Sequence, residues 1–104
     1  MVHTGMMSHG EVITVVRARI RQAGLSPATE RCYCNWVSHY YRFCLQLPWA
    51  LPSAEKAAAF RSYLAGHSGV SARAQWQAGS PLHFLYDEVL RKPIHPSELP
   101  KGAR

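Results

Sequence analysis

The chain has 104 residues, 47% of them hydrophobic and 11% aromatic, with twelve Lys and Arg against six Asp and Glu and a formal net charge of +6. That balance excludes a disordered or low-complexity chain and suits one small domain with a modest core. The basic surplus favours a polyanionic partner, nucleic acid before a membrane surface. The longest apolar run, Val12 to Val16 interrupted by Thr14, is far too short for a membrane span. No basic segment followed by a long apolar core opens the chain, so no secretory signal is read. Three cysteines, an odd number, fit a reduced, cytoplasmic setting better than a disulfide framework.

Residues 1–10 are polar and Gly-containing and read as a frayed or disordered leader. From Glu11 the pattern turns helical. Val12, Ile13, Val16 and Ile20 share one face, Arg17 and Arg21 stand one turn apart on another, and Gly24 stops the helix. The ordinary reading of Arg17, Arg19 and Arg21 is a solvated basic face; the sharper one makes Arg17 and Arg21 phosphate contacts.

The second helix starts at a Ser26 cap with Pro27 in the first helical position. Tyr33, Trp36, Val37, Tyr40, Phe43, Cys44 and Leu47 recur at three- and four-residue steps and form its apolar face. Arg31, Asn35, Ser38 and Arg42 form the opposite stripe. After it, Gln46 to Pro52 is a stiff turn with two prolines and Trp49. Ser53 is expected to cap a third helix, with Glu55 near its positive end, Ala57, Phe60 and Leu64 buried, and Gly66 at its close. His67 to Val70 read as a turn. Ser71 caps a fourth helix whose first turns carry Arg73, Gln75, Trp76 and Gln77, and whose later part buries Leu82, Leu85, Val89 and Leu90. Within it, Pro81 removes a backbone donor and clashes with the preceding turn, so a kink or break is expected near Gly79–Pro81. Residues 93–104, rich in proline, read as a linker. No strand-like alternation and no repeat is present, so the fold is expected to be all-α with four helices.

Cys32, Cys34, His39 and Cys44 resemble a metal site only in composition. Successive helical residues turn by about 100°, which sets Cys32 and Cys34 about 200° apart. Neither a metal nor a cofactor is expected. There is no nucleophile elbow, phosphate loop or set of paired carboxylates, and Asp87-Glu88 read as ordinary surface charge, so no enzymatic activity is expected of these residues. What remains is the polar stripe with its neighbours. Arg, Asn, Gln, Ser and Thr on helices are the groups that bond phosphates and base edges, and the helix starts at Ser26 and Ser71 offer backbone donors to an anion as well as serving as caps.

Arg-Ala-Arg-Ile-Arg, followed by Ser-Pro-Ala-Thr-Glu-Arg-Cys-Tyr-Cys-Asn-Trp-Val and Tyr-Arg-Phe, resembles the start of tyrosine recombinases of the phage and integron integrase type. Ser26, Thr29, Tyr33, Trp36 and Phe43 match that family's order, and Ala-Ala-Phe-Arg-Ser-Tyr-Leu-Ala and Leu-His-Phe-Leu-Tyr-Asp-Glu-Val-Leu resemble its third and fourth helices. The resemblance runs from about Val12 to Ile94. It implies the N-terminal core-binding domain, a SAM-like four-helix bundle over residues 11–92, forming half of a clamp around double-stranded DNA. It implies contacts from the second and fourth helices, for which the candidates are Ser26, Thr29, Arg31, Asn35 and Arg42, and Ser71, Arg73, Gln75 and Gln77. It also implies self-association on DNA, and a catalytic domain beyond the linker. His95-Pro96-Ser97-Glu98 does not match the family's His-x-x-Arg, and no tyrosine follows Tyr86; these residues are expected to bind DNA without cutting it. The sequence departs from the family at Ala74, where Thr is usual, and at Gly79 and Pro81. The alternative is a helical protein-interaction module anchored by Trp49 or Trp76, or an inactive recombinase remnant. Exposure of Trp76 and the position of the Arg31–Arg42 stripe discriminate between these readings.

Overall fold

The structure, a computed structural model, describes residues 8–66, 71–92 and 94. Every regular element among them is helical: α1 (His9–Gln22), α2 (Pro27–Cys44), α3 (Ser53–Gly66), α4 (Ala72–Gln77), α5 (Gly79–Phe84) and a π-helical turn (Leu85–Val89). The first three expected helices are present, and the fourth is divided into α4, α5 and the π turn. The all-α expectation holds.

Helix α1 begins inside the stretch read as leader. Ser8 and Glu11 form a reciprocal capping box, with the Ser8 hydroxyl accepting the Glu11 amide at 3.2 Å and Glu11 Oε1 accepting the Ser8 amide at 2.8 Å. Residues 1–7 lie outside the described residues. At its other end Gly24 takes a positive φ of 73°. Its amide bonds the Arg21 carbonyl at 3.1 Å while that of Leu25 bonds Ile20 at 3.2 Å, the paired closure that favours glycine at this position. The next helix opens at once. Ser26 accepts the Thr29 amide at 3.1 Å, and Pro27 occupies a position whose amide would lack a helical partner anyway.

Helix α2 is the element the others lean on, packing against α1, α3 and α5. Val12, Val16 and Ile20 of α1, Val37 and Tyr40 of α2, Ala57, Phe60 and Leu64 of α3, and Leu82, Leu85 and Val89 of the closing helix are buried together. No polar or charged residue among the described residues is buried with them, the tyrosines aside. Phe60 is the hub, with its ring 5.1 Å from Tyr40, 5.2 Å from Phe43 and 5.4 Å from His39. Such pairs add about 0.5–1.5 kcal/mol each beyond the burial of their area. Ser53 does not cap α3. It is the first helical residue, and the Pro52 carbonyl accepts the Lys56 amide at 3.0 Å. The turn expected at His67 to Val70 lies outside the described residues.

The break near Gly79–Pro81 is present at Ala78, between α4 and α5. The Leu82 amide reaches the Ala78 carbonyl at a long 3.4 Å. Restarting there puts Pro81 in the first turn of α5, where its missing amide leaves no helical bond unmade. The second distortion has no counterpart in the sequence reading. Over Leu85–Val89 the register widens, and the Leu90 amide bonds Leu85 five residues back at 2.8 Å. The Lys92 amide then bonds Tyr86 at 2.8 Å rather than Glu88. The Glu88 carbonyl is taken instead by Arg19 Nη1 from α1 at 2.9 Å. Arg91 closes the helix with φ 56°, a conformation that costs a non-glycine residue about 1–2 kcal/mol. Of the stretch read as linker, Ile94 is described and packs at the edge of the core; the rest lies outside the described residues.

Candidate nucleic-acid interface

With its aromatic side committed to the bundle, α2 turns Arg31, Asn35, Ser38 and Arg42 outward. Steps of four, three and four residues return to nearly the same angle on a helix, so the four form one row. Arg31 and Arg42, eleven residues apart, stand about 16 Å from each other along the axis. Both arginines and Asn35 are exposed, and the side chains of Arg31 and Asn35 bond no other described residue. Ser38 is half-buried and organises the middle of the row, accepting Arg42 Nη1 at 2.9 Å and pairing with His9 Nε2 at 2.8 Å.

The row has two walls. On one side His9, from the start of α1, stacks on Tyr41 with ring centroids 6.1 Å apart. On the other, Trp36 stacks on His39 at 5.6 Å, and His39 meets Phe60 and Tyr63 edge-on. Asn35, Trp36, Ser38, His39 and Arg42 enclose a shallow depression of about 390 Å³ on the Trp36–His39 side of the row. Among the described residues no helix covers the row. His9 is the neighbour the sequence reading missed by placing it in a leader. The legible signal was Ser8-x-x-Glu11, a capping box that starts a helix before the apolar period does.

The other candidates fall into three groups. Ser26 and Thr29 are tied to each other, the Ser26 hydroxyl accepting the Thr29 amide and donating to Thr29 Oγ1 at 3.0 Å. Ser71 likewise accepts the Ala74 amide at 3.0 Å; Arg73 and Gln77 beyond it are exposed, and Gln75 is half-buried. Arg17 and Arg21 converge on one carboxylate. Glu30 takes Arg21 through two bonds, at 2.9 and 3.2 Å, and Arg17 at 3.2 Å. The hydrogen bond from Arg21 holds the Glu30 carboxyl below its ordinary pKa, and the same bond raises that of Arg21. This trio joins α1 to α2 and carries one net positive charge. Trp76 is 57% exposed and Trp49 78% exposed.

The three cysteines are free thiols, and burial pushes the pKa of Cys34 and Cys44 up. Among the described residues no three His, Cys, Asp or Glu side chains gather as a metal site requires, and no helix is long and apolar enough to cross a membrane.

Comparison with known proteins places this arrangement. The family described as phage integrase, N-terminal SAM-like domain, matches residues 13–96. The chain belongs to that family. It is 38% identical over 81 residues to proteins named "Integrase/recombinase" from Escherichia coli and from Pseudomonas aeruginosa. The match takes in 77% of this chain and 24% of each relative, so the chain spans about a quarter of their length. No solved structure matches it significantly. In this integrase-family domain the departures from the family pattern are inward: Gly79 and Pro81 are buried and Ala74 is half-buried. Gly79 and Pro81 follow the bend at Ala78 directly, and none of the three lies on the exposed row of α2.

Proposed function

We propose that residues 11–92 are the DNA-binding core domain of an integrase-type site-specific recombinase, acting in DNA integration and recombination in the cytoplasm. The observation that carries this reading is the open row Arg31–Asn35–Ser38–Arg42 on a helix buried along its other side, in a member of an integrase family. Arg31 and Arg42 bind phosphates at the two ends of the row, and Asn35 between them reaches a base edge or a sugar-phosphate oxygen. Arg73, Gln75 and Gln77 contribute from α4. The helix starts at Ser26 and Ser71 present backbone amides while the two serine hydroxyls stay within their own caps, and Thr29 offers its hydroxyl proton. Arg17 and Arg21 are weaker phosphate contacts, because Glu30 neutralises one of their two charges. Strand cleavage belongs to a separate catalytic domain, and neighbouring copies meet on the DNA.

The test is a fluorescence-anisotropy titration of duplex DNA at several salt concentrations. Each phosphate contact contributes about 0.9 to the slope of log affinity against log salt. Arg31→Ala, Arg42→Ala and Arg73→Ala are each expected to lower the slope by about that amount, and Arg17→Ala by less. No duplex binding at low salt, or slopes indifferent to all three arginines, sinks the reading.

A further inference from the structure

A second, larger concavity lies away from the centre of the row, between the start of α1, the end of α2, the loop before α3 and the end of the closing helix. It encloses about 580 Å³, within the range of built ligand sites. Tyr41, Leu45, Leu47, Trp49, Leu51 and Leu90 supply its apolar lining, and Arg42, Lys56 and Lys92 stand at it as cations. None of the described residues lining it is Asp or Glu. Leu45 is 82% exposed and Trp49 78% exposed, so two large apolar side chains meet water at one mouth. The loop that presents them is fixed. Its amides at Leu47 and Leu51 bond Cys44 and Pro48, both at 3.0 Å, and Lys56 Nζ donates to the Trp49 carbonyl at 3.2 Å.

We propose that this cleft is a docking site for an acidic amphipathic peptide segment of a partner protein. Apolar side chains of the segment cover Trp49 and Leu45, and its carboxylates meet Arg42, Lys56 and Lys92. Complementarity of shape and charge favours this occupant. An exposed indole on a stiff loop is the kind of anchor that dominates interfaces, because little freedom is lost when it is covered. A cationic rim without a single carboxylate selects an anionic partner and rejects a cationic one. Duplex DNA answers the cations but leaves the apolar lining wet. A second copy of this chain, with formal charge +6, brings the same cations to the same rim.

The experiment uses nuclear magnetic resonance of the isotope-labelled protein. Two synthetic probes are titrated: a short peptide with leucines at helical spacing and glutamates elsewhere, and its twin with lysine for every glutamate. The glutamate peptide is expected to shift the Trp49 indole and the Leu45 and Lys56 amides, and to bind on the order of tenfold or more tightly than its twin. Trp49→Ala, an exposed truncation, is expected to weaken that binding by on the order of tenfold or more while leaving the melting temperature unchanged. Lys56→Glu is expected to bring the two probes toward equal affinity. Equal binding of both probes by the unaltered chain, or shifts elsewhere on the surface, overturns the proposal. So does duplex DNA moving the same resonances, or a dimer in sedimentation that Trp49→Ala dissolves, since either gives the cleft to a different occupant.

Discussion

Helix α2 runs from Pro27 to Cys44 without interruption, whereas the stretch from Ala72 to Val89 is divided into two six-residue helices and a five-residue π turn. Both bury large apolar residues, but they do so along different lines. On α2 the buried and half-buried aromatics follow one stripe, so a straight rod satisfies them all and an exposed row is left over. In the closing helix Ala78, Gly79, Pro81, Leu82, Leu85, Tyr86 and Val89 are all buried, and the backbone breaks at Ala78, just ahead of the buried Gly79 and Pro81. Its exposed candidates Arg73 and Gln77 lie in the segment before the first break, and the exposed polar side chain after it is the anionic Glu88. The display on α2 is therefore set by helix geometry alone. That on α4 is set by a bend, and alterations of the bend re-aim it.

The sharpest way to break this contrast is to remove what α2 leans on. Phe60→Ala empties the centre of the ring cluster formed with Tyr40, Phe43 and His39. A loss of about 3–5 kcal/mol is expected, read from denaturant unfolding. The two unlike helices are joined by a hydrogen bond between the buried phenols of Tyr40 and Tyr86. Tyr86→Phe leaves the Tyr40 hydroxyl short of a partner and is expected to cost about 1–3 kcal/mol. Adding Tyr40→Phe is expected to cost less than the sum of the two single changes, because it removes the stranded group. Burial raises the pKa of both phenols, that of Tyr86 to about 12. A raised folded value means stability is intact below the unfolded tyrosine value of about 10 and falls as pH rises toward the folded one. Alkaline unfolding curves of Tyr86→Phe are expected to be flatter there.

Much of this fold is legible in the sequence because its signals are local. Ser26-Pro27, Gly24 and the stripes Val12–Val16–Ile20 and Ala57–Phe60–Leu64 each follow from capping or a 3.6-residue period, and the structure has them all. Pro81 announced its break by the same logic. The π turn could not be read, since the contacts that accompany it are distant in sequence: Tyr86 bonds Tyr40 of α2, and the Glu88 carbonyl accepts Arg19 of α1. The candidate site divides along the same line. The row on α2 is a matter of spacing and was legible. The pairing of Arg17 and Arg21 with Glu30 was not, because Glu30 lies on the next helix and the Gly24 turn decides which groups meet. His9 was missed for a local reason, a leader reading that passed over its capping box.

Smaller than the buried changes is the effect of Glu30, which fastens the straight helix to α1. Its carboxyl is held below the ordinary carboxylate range by the bond from Arg21. A depressed folded value contributes stability above the unfolded pKa, and that contribution is lost as pH falls through the folded one. Glu30→Gln is expected to flatten the acid side of the stability curve. The same change frees both Arg17 and Arg21, so duplex binding is expected to strengthen and its salt slope to rise. A slope that does not move would remove those two arginines from the interface and leave α2 to act without α1.

The smallest effect expected is that of Pro81→Ala, which asks whether the break in the closing helix is imposed by proline or by what surrounds it. The substitution returns an amide to position 81, whose partner in a continuous helix is the Gln77 carbonyl. A regained hydrogen bond is worth about 0.5–1.5 kcal/mol, and the lost restriction of the unfolded chain about 0.4–1 kcal/mol in the other direction. The buried ring also gives up some packing, since Pro81 is fully enclosed. These terms nearly cancel, so a net change within about 1 kcal/mol is expected. Hydrogen exchange at the new amide carries the information that stability does not. Strong protection means that the helix closes across Ala78 once proline is gone and that Pro81 alone sets the aim of Arg73 and Gln77. Rapid exchange means the bend persists, held by burial of Ala78, Gly79 and Leu82 against the core, and the orientation of α4 is then a property of the packing.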